Sequence, residues 1–323
     1  MTVKVAMVKL GDSALIRGRK SITLNDLIGI KEALDCDSIE CELFYRDNLE
    51  DSLNADVLFV ANGGTVNFGG VQSKDFVATI EIINNFNGTV IFFSNDVLDI
   101  IDNRPRKGWV RIERPVVFAD PLGRVDEGKL KELEATDVIE INQSFGTGRI
   151  LASLPRIEFV PTYDAVYGGR ARPAMLGVLK KISEAKQLLT YRAISQKIEK
   201  SVVLKYTGLF DNADLRSLNS LGKYSFMFYE RKKSYFTSRV FEQLTSNSIV
   251  LFDERYEVFK PFWNDGNTFS NDRELLMRLD EPWSMERVIE HQESVKQFDF
   301  EVEMRKQRES LLRVCSKGSD YGI

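Results

Sequence analysis

Apolar residues along this chain gather in short runs separated by amphipathic stretches. Val3 to Leu10 is the first run; it breaks at the turn Gly11-Asp12-Ser13 and is followed by helical spacing near Leu24 to Leu34. Further strands are expected near Ile39 to Tyr45, at Asp56 to Ala61 and at Thr89 to Phe93, with a helix around Asp75 to Asn85. A strand covered on both faces needs no polar side, so continuous apolar runs alternating with helices predict a mostly parallel, doubly wound sheet. The alternation restarts after about residue 160. Strands at Asp164 to Tyr167, Val202 to Tyr206, Tyr224 to Tyr229 and Ile249 to Phe252 are interleaved with helices at Ala174 to Ala185, Asp214 to Asn219 and Arg239 to Leu244. From Trp283 to Arg313 the chain is highly charged with helical spacing, and this segment is expected to pack back on the first domain. The predicted organisation is α/β: a Rossmann-like domain over 1–160, a second over 161–283 facing the first across a cleft, and a C-terminal helical segment over 284–323.

Length agrees with two domains, since 323 residues exceed the size at which one core keeps growing. The N-terminal residues have lysines among the apolar ones and no signal-peptide core, and no stretch reaches the ~20 apolar residues of a membrane span. An intracellular protein without membrane contact is expected. Cys36, Cys41 and Cys315 form no paired framework, which fits a reducing compartment. His291 is the only histidine; it lies in a charged run and is expected on a solvated helix face. A single histidine argues against Ser-His-Asp chemistry and multi-histidine metal sites, so acid–base work falls to a carboxylate, Tyr, Lys or Cys.

The net charge is −4, yet the cations are clustered. Arg17, Arg19 and Lys20 share one expected loop, and Arg104, Arg106, Lys107 and Arg111 flank Trp109 in another. Each is either a solvated loop or a phosphate-contacting patch.

Ligands of such sheets bind beyond the carboxyl ends of the strands. No G-x-G-x-x-G follows the first strand, which disfavours a dinucleotide-dependent oxidoreductase, and Gly146-Thr147-Gly148-Arg149 reads as a turn. Four segments carry candidate chemistry. The glycine-rich stretch Asn62 to Gly70 reads as a flexible loop with room for ligand contact. Phe93-Ser94-Asn95-Asp96 puts a carboxylate at a strand end, either as a turn residue or as a base. Tyr167-Gly168-Gly169-Arg170-Ala171-Arg172 puts small residues and two guanidinium groups at a strand-to-helix turn, which suits an anion. Arg239 and Glu242 share a helix face, as a salt bridge or as partners of a nucleotide's diphosphate and ribose.

Taken in order, Asn67-Phe68-Gly69-Gly70, Phe93 to Asp96, Val166 to Gly169 with Arg172, Tyr206-Thr207-Gly208, and Arg239 to Glu242 leading to Val250-Leu251-Phe252-Asp253 resemble the DNA β-glucosyltransferases of T-even phages. The resemblance is short at each motif and spans most of the chain. It implies the two-domain GT-B fold and inverting transfer of glucose from UDP-glucose to 5-hydroxymethylcytosine in duplex DNA. It also implies a monomer working in the cytoplasm of an infected bacterium. By the same resemblance Asp96 is the base, Arg172 and Arg239 bind the diphosphate, Glu242 the ribose, and the backbone near Gly208 and Phe210 the uracil. Asn67, Phe68, Gly69 and Gly70 match the DNA-inserting loop. A second family arginine finds Leu176 here, with Arg170 nearby, and a glutamate at the first helix finds Ile22 or Thr23. These departures leave the sugar open between glucose, another hexose and a pentose donor such as UDP-arabinose. Mg2+ or Mn2+ is a candidate aid to the leaving group without a motif of its own. Two other readings are a UDP-sugar transferase acting on a small molecule, lipid or protein, and an inactive, nucleotide-regulated DNA-binding module.

Overall fold

The computed structural model describes residues 2–10, 22–62, 67–68, 71–72, 74–94, 112–119, 135–169, 173–191, 201–204, 211–228 and 236–318. They fall into two compact units, one of residues 1–147 with 300–323 and the other of 148–299.

In the first unit, strands β1 (Val3–Leu10), β2 (Ile39–Leu43), β3 (Val57–Asn62), β6 (Thr89–Ser94), β7 (Val116–Ala119) and β8 (Ala135–Ile139) pair in the order β2-β1-β3-β6-β7-β8, all parallel. Side chains alternate between faces with period two. Ala6, Val8, Leu58, Val60, Val90, Phe92 and Phe118 meet Ile80 and Ile83 of helix α2 (Lys74–Asn85), and Phe86 just beyond it, on one face. Val5, Met7, Phe59, Ala61, Ile91, Phe93 and Val117 meet Leu27, Ile30 and Leu34 of helix α1 (Ile22–Leu34) on the other. Leu311 and Val314, from the C-terminal helix Phe300–Gly318, join that second face. Both faces are therefore covered, which is why these strands read as unbroken apolar runs.

Two sequence expectations change here. Helix α3 (Gln143–Ser153) runs through Gly146 to Arg149, which had read as a turn. The two glycines Gly29 and Gly146 let α1 and α3 touch backbone to backbone: a Cβ on Gly146 would overlap the Gly29 carbonyl oxygen. The expected flexible loop around Asn67 contains a short hairpin, with β4 (Asn67–Phe68) antiparallel to β5 (Val71–Gln72).

In the second unit, β9 (Tyr163–Gly168), β10 (Leu188–Tyr191), β11 (Val202–Leu204), β12 (Gly222–Met227), β13 (Ile249–Asp253) and β14 (Thr268–Phe269) pair in the order β11-β10-β9-β12-β13-β14, again all parallel. Between them lie helices α4 (Pro173–Ala185), α5 (Asn212–Asn219) and α6 (Ser238–Leu244), with α7 (Asp272–Arg278) and α8 (Met285–Lys296) following β14. Asp211 caps α5 through a box in which the Asp214 N–H donates to Asp211 Oδ1 at 2.8 Å, satisfying a helix donor that has no partner in its own turn. Leu176 of α4 packs on this unit's core.

His291 is the clearest departure from expectation. It is 2% exposed, on the same face of α8 as Val288, Gln292 and Val295. That spacing of i, i+3, i+4 and i+7 is a core-facing stripe, masked in the sequence by the charges between its members. Nδ1 accepts a hydrogen bond from the Val250 N–H at 3.3 Å, which leaves the proton on Nε2, 3.3 Å from the Asn267 amide nitrogen. Burial first, and the neighbouring Arg287 charge second, push the imidazole pKa down from 6.5 to about 4. Between about pH 6.5 and 4 the unfolded chain therefore takes up a proton that the folded chain refuses, so this contribution is complete above pH 6.5 and is lost as the pH falls. At about 1.4 kcal/mol per pKa unit the loss is roughly 3 kcal/mol at most. Urea denaturation at pH 7 and pH 4 should show the wild type losing more stability than His291→Gln; equal losses would remove the imidazole as the cause.

Candidate functional site

The strand order of the second unit reverses between β9 and β12, because β10 and β11 lie to one side of β9 and β12 to β14 to the other. At such a switch point the connections leave on opposite faces, and a crevice opens beyond the carboxyl ends of the strands. The turn after β9 and the start of α6, which follows β12, meet there.

Gly168 ends β9, and Gly169 takes φ +109°, a conformation open to glycine and strained for other residues. Neither position has room for a side chain. A Cβ on Gly168 would overlap the Tyr191 ring, and one on Gly169 would overlap the Arg239 guanidinium. The Tyr191 hydroxyl donates to Asn219 Oδ1 at 3.1 Å, and the Asn219 Nδ2 donates to the Leu215 carbonyl at 2.9 Å, so the floor under Gly168 is tied to α5. The Arg239 Cζ lies 5.8 Å from the centroid of the buried Tyr167 ring. That distance is within cation–π range, so the ring face supports the guanidinium without neutralising it. Tyr167 is fixed in turn by Phe228, 5.7 Å away between ring centroids, and by its hydroxyl's 3.7 Å contact to Met175 Sδ.

Helix α6 carries both Arg239 and Glu242, and it is anchored by aromatic rings. Phe241 packs against Phe236, Phe262 and Phe298 at centroid separations of 6.0, 5.9 and 6.0 Å. Glu242 is 4% exposed and Arg239 half-buried, and both are engaged with partners. Asp253, at the end of β13, is buried and paired with Arg255 at 2.5 Å.

Of the residues singled out in the sequence, the structure thus brings together Gly168, Gly169 and Arg239, with Glu242 one turn further along α6. Asn67 and Phe68 lie on the β4–β5 hairpin. Asp96, two residues beyond the end of β6, lies outside the described residues, as do Arg17, Arg19, Lys20, Gly69, Gly70, Arg104, Arg106, Lys107, Arg111, Arg170, Arg172, Gly208 and Phe210. Sequence reasoning missed Tyr191 and the supporting role of Tyr167; an aromatic at a strand end is ordinary core composition, and only the register of β9 against β10, which pairs Gly168 with Tyr191, marks it. Among the described residues no three His, Cys, Asp or Glu side chains are grouped so as to hold a metal ion, and no helix is long and apolar enough to cross a membrane.

No protein-family model matches the chain, and no curated protein matches it. Solved structures do. A structure of T4 phage BGT in complex with UDP and Mn2+ aligns with a TM-score of 0.74 at 13% identity, covering 97% of this chain and 99% of that one. A structure of the DNA-modifying enzyme β-glucosyltransferase, described in the presence and absence of uridine diphosphoglucose, aligns at 0.63 and 13% identity over 98% and 96% of the two chains. An α-glucosyltransferase in complex with UDP-glucose and DNA containing an abasic site aligns at 0.58 and 11% identity over 98% of each chain. The fold is therefore GT-B, the architecture of these glycosyltransferases. The particular likeness is to T4 phage β-glucosyltransferase over nearly the whole chain.

The turn geometry makes a paired prediction. Gly169→Ala should lower stability by at least about 1 kcal/mol, because the methyl meets both a disfavoured φ and a guanidinium. Gly177→Ala, at an exposed helical position with nothing within 4 Å of the added methyl, should raise it by roughly 0.5–1 kcal/mol. Denaturation curves that shift in the same direction for both would contradict the assigned turn.

Proposed function

We propose that this chain is a glycosyltransferase that moves a sugar from a UDP-sugar to a hydroxymethylated pyrimidine, 5-hydroxymethylcytosine first, in double-stranded DNA. The observation that carries the reading is the Arg239 guanidinium seated against Gly169 at the switch point of the second unit. A phosphate can approach backbone closely where there is no Cβ, and a planar guanidinium offers it two parallel donors. The structural likenesses to proteins in complex with UDP, UDP-glucose and DNA support the substrate classes.

On this reading the second unit holds the donor and the first unit the DNA, with only the segment from Phe300 returning to the first unit rather than the whole of 284–323. Arg239, Arg172 and Arg170 take the diphosphate, Glu242 accepts the ribose hydroxyl protons, and the backbone at Gly208 and Phe210 meets the uracil. Asp96 removes the proton of the acceptor hydroxyl as its oxygen attacks the anomeric carbon. The bond from that carbon to the diphosphate oxygen breaks, UDP departs, and the configuration inverts. The arginines stabilise the charge that develops on the leaving group. A divalent cation such as the Mn2+ of the T4 phage complex would, when bound, supply charge stabilisation to the departing diphosphate. The acceptor base must leave the duplex stack to reach a cleft. Asn67 to Gly70 would insert beside it, while Arg17, Arg19, Lys20, Arg104, Arg106, Lys107 and Arg111 meet the phosphates.

The deciding experiment is mass spectrometry of nucleosides after cytosine-, 5-hydroxymethylcytosine- and 5-hydroxymethyluracil-containing duplexes are incubated with a panel of UDP-sugars. A sugar adduct on a hydroxymethylated base is expected. Hydrolysis of UDP-sugar that modified duplex leaves unstimulated, with no adduct on any base, would move the acceptor to another class of molecule.

Arg239→Ala should weaken UDP binding about ten- to a hundredfold, the equivalent of a charge-assisted hydrogen bond of ~1.5–3 kcal/mol. Calorimetry giving the wild-type affinity for a folded variant would leave Arg239 a structural residue. Asp96→Asn is nearly isosteric and should keep UDP affinity while lowering kcat at least ~100-fold, since an amide cannot accept the proton. A variant with more than about a third of wild-type kcat would make Asp96 a turn residue.

A further inference from the structure

The opposite edge of the second sheet, where its strands begin, holds a cavity of about 120 Å³ lined by Leu151, Leu154, Arg156, Arg216, Gln292 and Lys296 among others. At ~30 Å³ per water molecule this is room for about four waters, enough for an anion of five heavy atoms. Arg216 sits in the last turn of α5 and is 6% exposed. Its Nε donates to the Thr245 carbonyl and its Nη2 to the Pro155 carbonyl, each at 2.7 Å. Both carbonyls are thereby occupied and do not face the cavity as free acceptors. Nη1 has no partner among the described residues, and it is not sealed from solvent.

Arg156 is held from one side only. Its Nε donates to Gln292 Oε1 at 2.9 Å, while the Gln292 Nε2 donates to the Ser246 carbonyl at 2.9 Å, so the whole amide is spent on orienting this arginine. The two terminal nitrogens of Arg156 have no partner among the described residues. Lys296 adds a third cation, shared with Glu293 at 2.7 Å on the surface. Among the described residues no carboxylate pairs with either arginine. A buried guanidinium without a counter-charge is costly, and burial pushes the Arg216 pKa down. The apolar walls at Leu151 and Leu154 lower the local dielectric and strengthen whatever charge pairing occurs inside.

We infer that this cavity binds a tetrahedral oxyanion of the phosphate class, gripped by Nη1 of Arg216 and the terminal nitrogens of Arg156 and separate from the switch-point site. Its lining comes from the two chain segments that border the junctions between the units: Leu151 to Arg156 follows the first crossing at 147/148, and Gln292 to Lys296 precedes the second at 299/300. An anion here ties both segments to α5.

The test uses the full chain with inorganic phosphate against chloride at matched ionic strength, followed by thermal denaturation and calorimetry. Phosphate should raise Tm saturably, as a ligand of the folded state does. Arg156→Gln, a change at an exposed side chain, should weaken phosphate binding about ten- to a hundredfold and leave UDP affinity unchanged. Absence of a saturable rise in the wild type overturns the site. So does a rise that survives Arg156→Gln but disappears in Arg239→Ala, which assigns the phosphate to the turn after β9.

Discussion

The second unit is organised around two missing Cβ atoms. Gly168 and Gly169 end β9 at the place where the sheet's strand order reverses, and the volume they leave is filled from below by Tyr191 and from the side by Arg239. Neither neighbour could sit where it does against an alanine. The left-handed φ of Gly169 also turns the chain from strand toward α4 within a few residues. A cation is thus brought against glycine backbone at a strand end.

Holding a guanidinium there demands a rigid helix, and α6 is short. Seven residues supply little intrinsic helical stability, so its position is set by packing. The Phe236, Phe241, Phe262 and Phe298 rings surround it, each aromatic pair contributing on the order of 0.5–1.5 kcal/mol beyond area burial. Gln243 reaches across to the Phe226 carbonyl at 3.2 Å and ties α6 to β12. On the neighbouring strand, the neutral His291 ring satisfies the Val250 N–H, so α8 is fastened to β13 by a polar group that tolerates no charge. The same rigid scaffold holds the arginine cavity at its other edge, where α5 and α6 end. One sheet therefore presents cationic groups at both ends of its strands, built by different means: a glycine turn at one, and at the other an arginine of α5 hooked onto the Thr245 and Pro155 carbonyls.

Charge is distributed unevenly over this protein of net charge −4. Exposed carboxylates on the outer helices pair locally, as in Lys296 with Glu293 and Lys306 with Glu303, and such surface pairs contribute little. Arg216 and Arg156 lack carboxylate partners among the described residues, and Arg239 rests on an aromatic ring. Local placement of cations, rather than the sum over the chain, sets where anions can go.

Much of this was legible in the order of residues. Parallel strands covered on both faces announce themselves as apolar runs, so β1, β3, β6, β9, β12 and β13 and the helices between them follow from local pattern, and Gly168-Gly169 at a strand end marks a tight strand-to-helix turn by its chemistry alone. Short elements whose composition is ordinary did not show: β7, β8 and β10, and helix α3, whose glycines look like a turn until α1 is found lying against them. His291 was misplaced because a stripe of one histidine, one glutamine and two valines carries little hydrophobic signal among charges. What only the tertiary structure decided is which distant groups meet: Arg239 with Gly169 and Tyr167, Tyr191 under Gly168, and Arg216 with the Thr245 and Pro155 carbonyls. Those contacts depend on strand order, and strand order is a choice among long-range pairings that local periodicity does not encode.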